Sequence, residues 1–188
     1  RAYREVGLAA GELPVRRGYP PSVFAELPRL IERAGTSSRG SITALYTVLL
    51  SSDLDEDPMV DEIKGLTDGH LVLRKQLAEQ GHYPAIDVLG SLSRLASKVQ
   101  PAAAHAAARN LRRLLSRLEN ERELLLLGGA PDAELRRALN LEPQVKEFLQ
   151  QGQQSAGDLN EYARATFERL VRLAADGLTE QSPGGGEV

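Results

Sequence analysis

Hydrophobic residues in the first part of the chain recur at helical spacing in two places. Residues 1–10 are typical of the end of a helix that stops near Gly11. A second helix is expected from about Ser22, because prolines precede it and its apolar residues share one face. These apolar residues are Val23, Leu27, Leu30 and Ile31. Pro28 is expected to bend or interrupt this helix, because proline removes one backbone hydrogen bond.

Strand-like stretches alternate with short helices in the next part of the chain. Residues 41–50 form a near-continuous apolar run, which is typical of a strand buried on both faces of a parallel sheet. Two shorter strands are expected at residues 71–73 and 86–88. Helical segments are expected at residues 59–66 and, as a single turn, at 75–79. Strands that alternate with helices indicate an open α/β sheet.

The pattern becomes purely helical after about residue 100. A long helix is expected over residues 101–127, and the pair of glycines that follows marks its end. Two shorter helices are expected at residues 132–139 and 143–150. The second of these begins at Pro143, and proline is favourable at the first helical position.

The last predicted helix follows a polar linker at residues 151–157, and Asp158 is expected to cap it. Its apolar stripe comprises Leu159, Tyr162, Ala163, Phe167, Leu170 and Val171. Such a stripe requires a partner. We expect it to pack on the long helix and to keep an exposed edge that a helix of another protein could use. The tail from about residue 182 is expected to be disordered.

Composition and charge narrow the class of protein. The chain has 188 residues, 41% of them hydrophobic, which suffices for one or two small domains. Its net charge of −3 gives no electrostatic case for binding nucleic acid. Cysteine is absent from the sequence, which excludes disulfides and suits a reducing cytoplasm. No run of about 18 apolar residues occurs, so no segment is expected to span a membrane.

Three strings of sequence carry a resemblance to a known family. They are RGYPPSVFAELPRL at residues 17–30, GSITALYTVL at residues 40–49 and GHYPAIDVLGSLSR at residues 81–94. Over roughly residues 1–150 the chain resembles the flagellar and type III secretion export ATPases, which are similar to the catalytic subunits of rotary ATP synthases. The Ile-Asp-Val-Leu form at residues 86–89 favours the injectisome branch of this family.

The resemblance implies an α/β region followed by an all-α region. Residues 1–100 would be the C-terminal part of a RecA-like ATPase domain, and residues 101–188 a helical C-terminal domain. The family's phosphate-binding loop would lie upstream, because the pattern G-x-x-x-x-G-K-S/T does not occur in this sequence. The chain therefore reads as part of a longer ATP hydrolase, and by itself we expect it to be inactive.

Three residues are singled out by the resemblance. Tyr83, held extended by the proline after it, would stack on adenine. Phe148 would close the other face of the adenine pocket, although a place in the helical core explains it equally well. Arg94 would act as an arginine finger on the γ-phosphate bound by a neighbouring subunit. Without the resemblance, Tyr83 reads as a core or turn residue and Arg94 as a solvated surface residue.

The function implied is export of proteins. The family couples ATP hydrolysis to release of secreted proteins from chaperones, to their unfolding and to their export. Its cofactors would be ATP and Mg²⁺, with the magnesium ligands outside this chain. The alternative is a non-catalytic helical module that docks a chaperone or a stalk and keeps only the adenine side and the finger of the site.

The resemblance also implies partners. They would be further copies in a homohexamer, a central coiled-coil stalk and chaperone–effector complexes, without nucleic acid. The acidic loop at residues 53–57 would face the stalk, although a solvated turn also explains it. The protein would be cytoplasmic and would associate peripherally with the membrane export apparatus.

Overall fold

A computed structural model describes residues 2–49, 57–151 and 159–176 of the chain. The helices are α1 Ala2–Ala9, α2 Pro21–Ile31, α3 Pro58–Leu66, α4 Lys75–Glu79, α5 Ala96–Val99, α6 Ala102–Leu126, α7 Ala133–Leu149 and α8 Leu159–Asp176. The strands are β1 Thr36–Ser37, β2 Gly40–Ser41, β3 Gly69–Leu73 and β4 Ile86–Ser93. The chain divides into two compact units, Arg1–His70 and Leu71–Val188. Within the described residues, no helix is both long and apolar enough to cross a bilayer.

The first unit is built from α1, α2 and α3, with α2 in contact with the other two. Gly7 of α1 lies against Pro20, and a Cβ added to Gly7 would stand 2.7 Å from Pro20 Cγ. α2 buries Val23 and α3 buries Val60. α2 continues through Pro28 to its end, so this proline does not interrupt the helix.

The apolar run at residues 41–50 is where the structure departs most from the sequence prediction. Its first residue ends β2, which pairs antiparallel with β1, and residues 42–49 have no regular structure. Leu45 and Leu49 are 95% and 87% exposed. A strand needs a neighbour for its backbone hydrogen bonds. Among the residues described, no strand pairs with residues 42–49, so the predicted buried strand is wrong there, and residue 50 lies outside the described part.

The second unit is built around α6, which packs against α7, α8 and β4. Its core consists of Leu111, Leu114, Ala138, Leu141 and Val145, and partly buried side chains that include Phe148 and Leu170 pack on this core. α8 adds two buried residues that the predicted stripe omitted, Leu173 and Ala174. Val171 in the stripe remains 38% exposed. Packing of the last helix on the long helix, with an exposed edge, is therefore confirmed.

α7 is one helix where the sequence predicted two. Asp132 caps it, because Leu135 N donates to Asp132 Oδ1 over 2.8 Å. Pro143 lies inside the helix and does not begin a new one. Leu141 and Val145, on either side of this proline, are both buried in the core. Their burial holds the two predicted segments in one helix, so the predicted break is wrong.

An arginine cluster joins the end of α6 to the beginning of α7. Arg117 on α6 pairs with Glu134 (2.6 Å), Glu121 (2.8 Å) and Asp132. The hydrogen bond from Leu135 N and the neighbouring Arg117 lower the pKa of Asp132, although its burial acts in the opposite direction. The cluster ties the two helices together through carboxylates and does not involve a strand.

Candidate nucleotide-binding site

β4 carries two of the predicted site residues near its ends. Tyr83 lies three residues before the strand and Arg94 follows it directly. β4 pairs with β3, and a buried hydroxyl reinforces the pairing. Ser91 Oγ accepts a hydrogen bond from Val72 N over 2.9 Å and donates to the carbonyl oxygen of Asp87. The strand is thus fixed by side-chain contacts as well as by its neighbour.

Asp87 sets the local shape of β4. Its carboxylate accepts a hydrogen bond from Gly90 N over 2.9 Å and pairs with Arg74. A Cβ on Gly90 would stand 2.6 Å from Asp87 Oδ2, so a side chain at this position would require the carboxylate to shift. Burial raises the pKa of Asp87, but the hydrogen bonds from Gly90 N and from Arg74 outweigh it and hold the pKa below its ordinary value. The carboxylate is therefore charged at neutral pH.

A backbone hydrogen bond brings the segments of Tyr83 and Phe148 together. Gln151 N donates to Tyr83 O over 2.9 Å, and Gln151 lies three residues after Phe148, just beyond the end of α7. Tyr83 is 57% exposed and precedes Pro84 through a cis peptide bond. Phe148 is half-buried and packs on the helical core. Phe148 can thus be both a core residue and an adenine contact, because its ring packs on the core and its segment lies near that of Tyr83.

A cavity of about 470 Å³ opens beside these two segments. Its lining includes Pro84, Ile86 and Val88 before and within β4, Phe148 and Leu149 on α7, and Arg169 on α8. Tyr83 is not part of the lining. The walls are mainly apolar, which suits a planar ring system more than a charged group.

Arg169 at this cavity was not predicted from the sequence. Its guanidinium carbon lies 5.8 Å from the centre of the Phe148 ring, and Arg169 Nη2 lies 2.9 Å from Glu147 Oε1. Both contacts depend on the packing of α8 against α7. Spacing along the chain does not encode that packing, so only a tertiary structure could identify this residue.

Arg94 is exposed and lies at the far end of β4 from Tyr83. The strand has eight residues. These residues stand between Tyr83 and Arg94 in the sequence. Arg94 is also absent from the lining of the cavity. The structure therefore brings together the segments of Tyr83 and Phe148 and leaves Arg94 at a separate place.

Arg112 on α6 is a further residue that sequence reasoning missed. Its guanidinium donates hydrogen bonds to three backbone carbonyl oxygens of β4. They belong to Leu89 (3.0 Å), Ser91 (3.0 Å) and Val88. The partners are more than twenty positions apart in sequence and are backbone atoms, so no residue pattern points to them.

The residues present fit the base end of ATP and not its phosphate end. An apolar cavity lined by the Phe148 ring suits adenine. The sequence has no phosphate-binding glycine loop. Among the described residues, no group of three or more histidine or acidic side chains is arranged to hold a metal ion.

The acidic loop predicted to face a stalk is described only at its end. Asp57 caps α3, because Met59 N donates to Asp57 Oδ1 over 2.9 Å. The other acids of the loop, Asp53, Asp55 and Glu56, lie outside the described residues.

Curated relatives match nearly the whole chain. The type 3 secretion system ATPase of Xanthomonas euvesicatoria is 50% identical over 179 residues, which cover 94% of this chain and 40% of the relative. The flagellum-specific ATP synthase of Treponema pallidum is 48% identical over 157 residues, which cover 82% of this chain and 35% of that protein. The chain thus spans about 40% of the length of these relatives. Both branches match at similar identity, so the injectisome branch stays a prediction.

Solved structures agree with this relationship. The assembled ATPase EscN from the enteropathogenic E. coli type III secretion system matches with a TM-score of 0.83 and 41% identity, covering 93% of this chain and 42% of that one. EscN in complex with its central stalk EscO matches with a TM-score of 0.77 and 39% identity, covering 93% and 41%.

Family models match both regions of the chain. Residues 1–93 match the nucleotide-binding domain of the ATP synthase alpha/beta family, and residues 100–166 match the T3SS EscN ATPase C-terminal domain. These matches place the chain in the ATP synthase alpha/beta class, with an α/β region followed by a helical region, as predicted. The chain belongs to the family of flagellar and type III secretion export ATPases. The domain boundary near residue 100 stays a prediction.

Proposed function

We propose that this chain is the C-terminal part of a protein-secreting ATPase. The whole enzyme couples ATP hydrolysis to release of secreted proteins from chaperones, to their unfolding and to their export. The observation that carries the proposal is the 2.9 Å hydrogen bond from Gln151 N to Tyr83 O. It joins the two segments that carry the expected adenine contacts, Tyr83 and Phe148, beside an apolar cavity.

In this proposal Tyr83 and Phe148 hold the adenine base. Stacking of an aromatic ring on a base contributes roughly 1 kcal/mol. The contact is equally strong in the ground state and in the transition state, so it sets nucleotide affinity and not turnover. The phosphates and Mg²⁺ are held by residues outside this chain. Mg²⁺ would supply neutralisation of phosphate charge when bound.

Arg94 acts on a different nucleotide from the one that Tyr83 binds. The two residues flank opposite ends of β4, and Arg94 is absent from the lining of the cavity beside the Tyr83 segment. Across a ring interface, the Arg94 guanidinium reaches the γ-phosphate of the ATP bound by the neighbour. It donates hydrogen bonds to the phosphate oxygens and stabilises charge that develops during transfer.

The proposed assembly is a homohexamer with a central coiled-coil stalk. It is supported by the related EscN, whose structures show the assembled ATPase and its complex with the central stalk EscO. The remaining partners, chaperone–effector complexes and a membrane export apparatus, follow from the family function. They place the enzyme in the cytoplasm, peripheral to the inner membrane.

Arg94→Ala in the full-length enzyme tests the catalytic part of the proposal. Turnover is expected to fall by about 10³-fold or more, while nucleotide affinity stays nearly unchanged, because a finger acts mainly in the transition state. The measurements are steady-state phosphate release and nucleotide titration. Mixing this variant with subunits disabled in the phosphate-binding loop should restore part of the activity, since the two lesions then fall on different interfaces. Confirmed mixed hexamers without any recovery would place Arg94 outside the neighbour's site.

The 188-residue chain alone is expected to release no phosphate from Mg-ATP, because it lacks the phosphate-binding loop. The assay is steady-state phosphate release by the purified chain. Turnover above a protein-free blank, after contaminating ATPases are removed, would show that the chain carries its own hydrolytic site.

A further inference from the structure

The contact between Arg112 and β4 ties the strand that directly precedes Arg94 to the long helix α6. One half-buried guanidinium donates to the carbonyl oxygens of Val88, Leu89 and Ser91. A guanidinium has five donors in a rigid planar fork, so three acceptors define its position relative to the strand. Hydrogen bonds from a charged donor are also stronger than those between neutral groups.

The bonded carbonyls belong to the part of β4 nearest Arg94. Ser91 lies three residues before Arg94, and its side chain is already fixed by Val72 N. On the same segment Asp87 holds Gly90 N. Contacts from β3, from the strand itself and from α6 therefore converge on residues 88–91, and the chain leaves this fixed segment directly into Arg94.

We propose that Arg112 is a positioning residue for Arg94. It fixes the end of β4 against α6, so the placement of the finger depends on the helical region that also holds Phe148. This inference rests on the proposed role of Arg94 as a finger. Arg112 does not line the cavity, and in this proposal it acts only through the position of the strand.

A neighbouring arginine on the same helix provides a matched control. Arg117 is also half-buried on α6, but it pairs with carboxylates of Glu121, Asp132 and Glu134, and in the described part of the chain it has no hydrogen bond to a strand carbonyl. Its loss is expected to lower the thermal stability of the helical region without a selective loss of turnover. The comparison separates a general effect of removing an α6 arginine from an effect on β4.

The first test measures turnover of Arg112→Ala in the full-length hexamer. Turnover is expected to fall on the order of 100-fold, because a displacement of about 1 Å at a catalytic group has that effect. Nucleotide affinity and hexamer assembly stay close to wild type, as for Arg94→Ala. Arg112→Lys should recover part of the activity, since an ammonium group can reach one carbonyl but cannot reproduce the fork. Equal loss of activity in Arg117→Ala would overturn the inference.

The second test is a double-mutant cycle between Arg112 and Arg94. If Arg112 acts through Arg94, the double alanine variant is no slower than Arg94→Ala alone. Losses that multiply would show that Arg112 acts elsewhere and would overturn the inference. If Arg112→Ala does not fold, the same cycle with Arg112→Lys decides the question.

The two proposals fail in distinguishable ways. Full turnover of Arg112→Ala beside an inactive Arg94→Ala overturns the positioning role and leaves the finger intact. Full turnover of Arg94→Ala overturns the finger, and the positioning role falls with it.

Discussion

Of two stretches of eight residues in this chain, only the less apolar one forms a strand: residues 42–49 contain six apolar residues and residues 86–93 contain four. Residues 42–49 lie exposed without regular structure, whereas β4, Ile86–Ser93, is an ordered strand. β4 has a paired neighbour and a buried serine, and Arg112 binds its carbonyls from α6. Strand propensity spans only about 1 kcal/mol and depends on packing. The comparison shows that hydrogen-bond partners for the backbone, and not apolar composition, decide which stretch becomes a strand.

Amide hydrogen exchange tests most directly whether the two stretches differ in solution. In the 188-residue chain, amides of residues 86–93 should exchange at least about 10³-fold more slowly than those of residues 43–49, because only the former open with the folded unit. Mass spectrometry of peptides from both stretches measures the difference. Equal protection would mean that residues 43–49 pair with a strand in solution. In the full-length enzyme we expect their protection to increase, since the resemblance places a core strand there.

Substitution of Gly90 tests whether the Asp87 contact shapes β4. Gly90→Ala places a Cβ 2.6 Å from Asp87 Oδ2. It should lower the free energy of unfolding by about 1–3 kcal/mol, which urea or thermal denaturation measures.

Gly65→Ala in α3 is the matched control, because an added Cβ there meets nothing within 4 Å. It should be neutral or stabilising by up to about 1 kcal/mol. Similar stability of both variants would show that the Asp87 carboxylate moves aside and does not set the shape of the strand.

Substitutions at the two ends of β4 should change different quantities, nucleotide affinity at Tyr83 and turnover at Arg94. Tyr83→Ala in the full-length enzyme should weaken ATP binding by about 1 kcal/mol, which is about fivefold, and change turnover less. Tyr83→Phe should bind ATP nearly as tightly as the wild type, since the ring face makes the contact. Titration with a fluorescent nucleotide measures both. A large loss with phenylalanine would assign the role to the hydroxyl and contradict stacking.

Acid should weaken the anchoring of β4 by a small amount. The pKa of Asp87 is lowered in the folded chain. Its contribution to stability is therefore complete above the ordinary aspartate pKa and is lost as the pH falls through the lowered value. Because the Arg74 side chain is 48% exposed, the effect should stay below about 1 kcal/mol. Asp87→Asn should flatten the acid side of the stability profile, and an unchanged profile would show that another carboxylate governs it.

Helix ends could be predicted from the sequence because local chemistry marks them. Gly11 and Gly128, which follow α1 and α6, adopt positive φ values of 84° and 85°. Asp57 and Asp132 cap α3 and α7 through their own side chains. These signals lie within a few residues of the feature that they specify. The expected ends of α1, α3, α4 and α6 accordingly agree with the structure to within one or two residues.

The predictions that were wrong concern features that depend on contacts between residues far apart in the sequence. Residues 42–49 lack a paired strand among the residues described, and Pro143 stays inside α7 because Leu141 and Val145 are buried around it. Tyr83, Phe148 and Arg94 were identified by family resemblance. Tertiary packing determines which of these residues lie near each other. It also brings Arg112 to β4 and Arg169 to the cavity, and residue spacing does not encode it.

Pro143 also divides α7 mechanically. Proline has no N–H to donate, so the carbonyl of Leu139 lacks its helical partner at this point. Bending there costs less than bending elsewhere in the helix. The helical turn that carries Phe148 follows Pro143, whereas the Asp132 end of the helix is held against α6 by an ion pair with Arg117. Both halves of the helix pack on the bundle core, but the half after Pro143, which lines the cavity through Phe148 and Leu149, can bend more easily than the half before it.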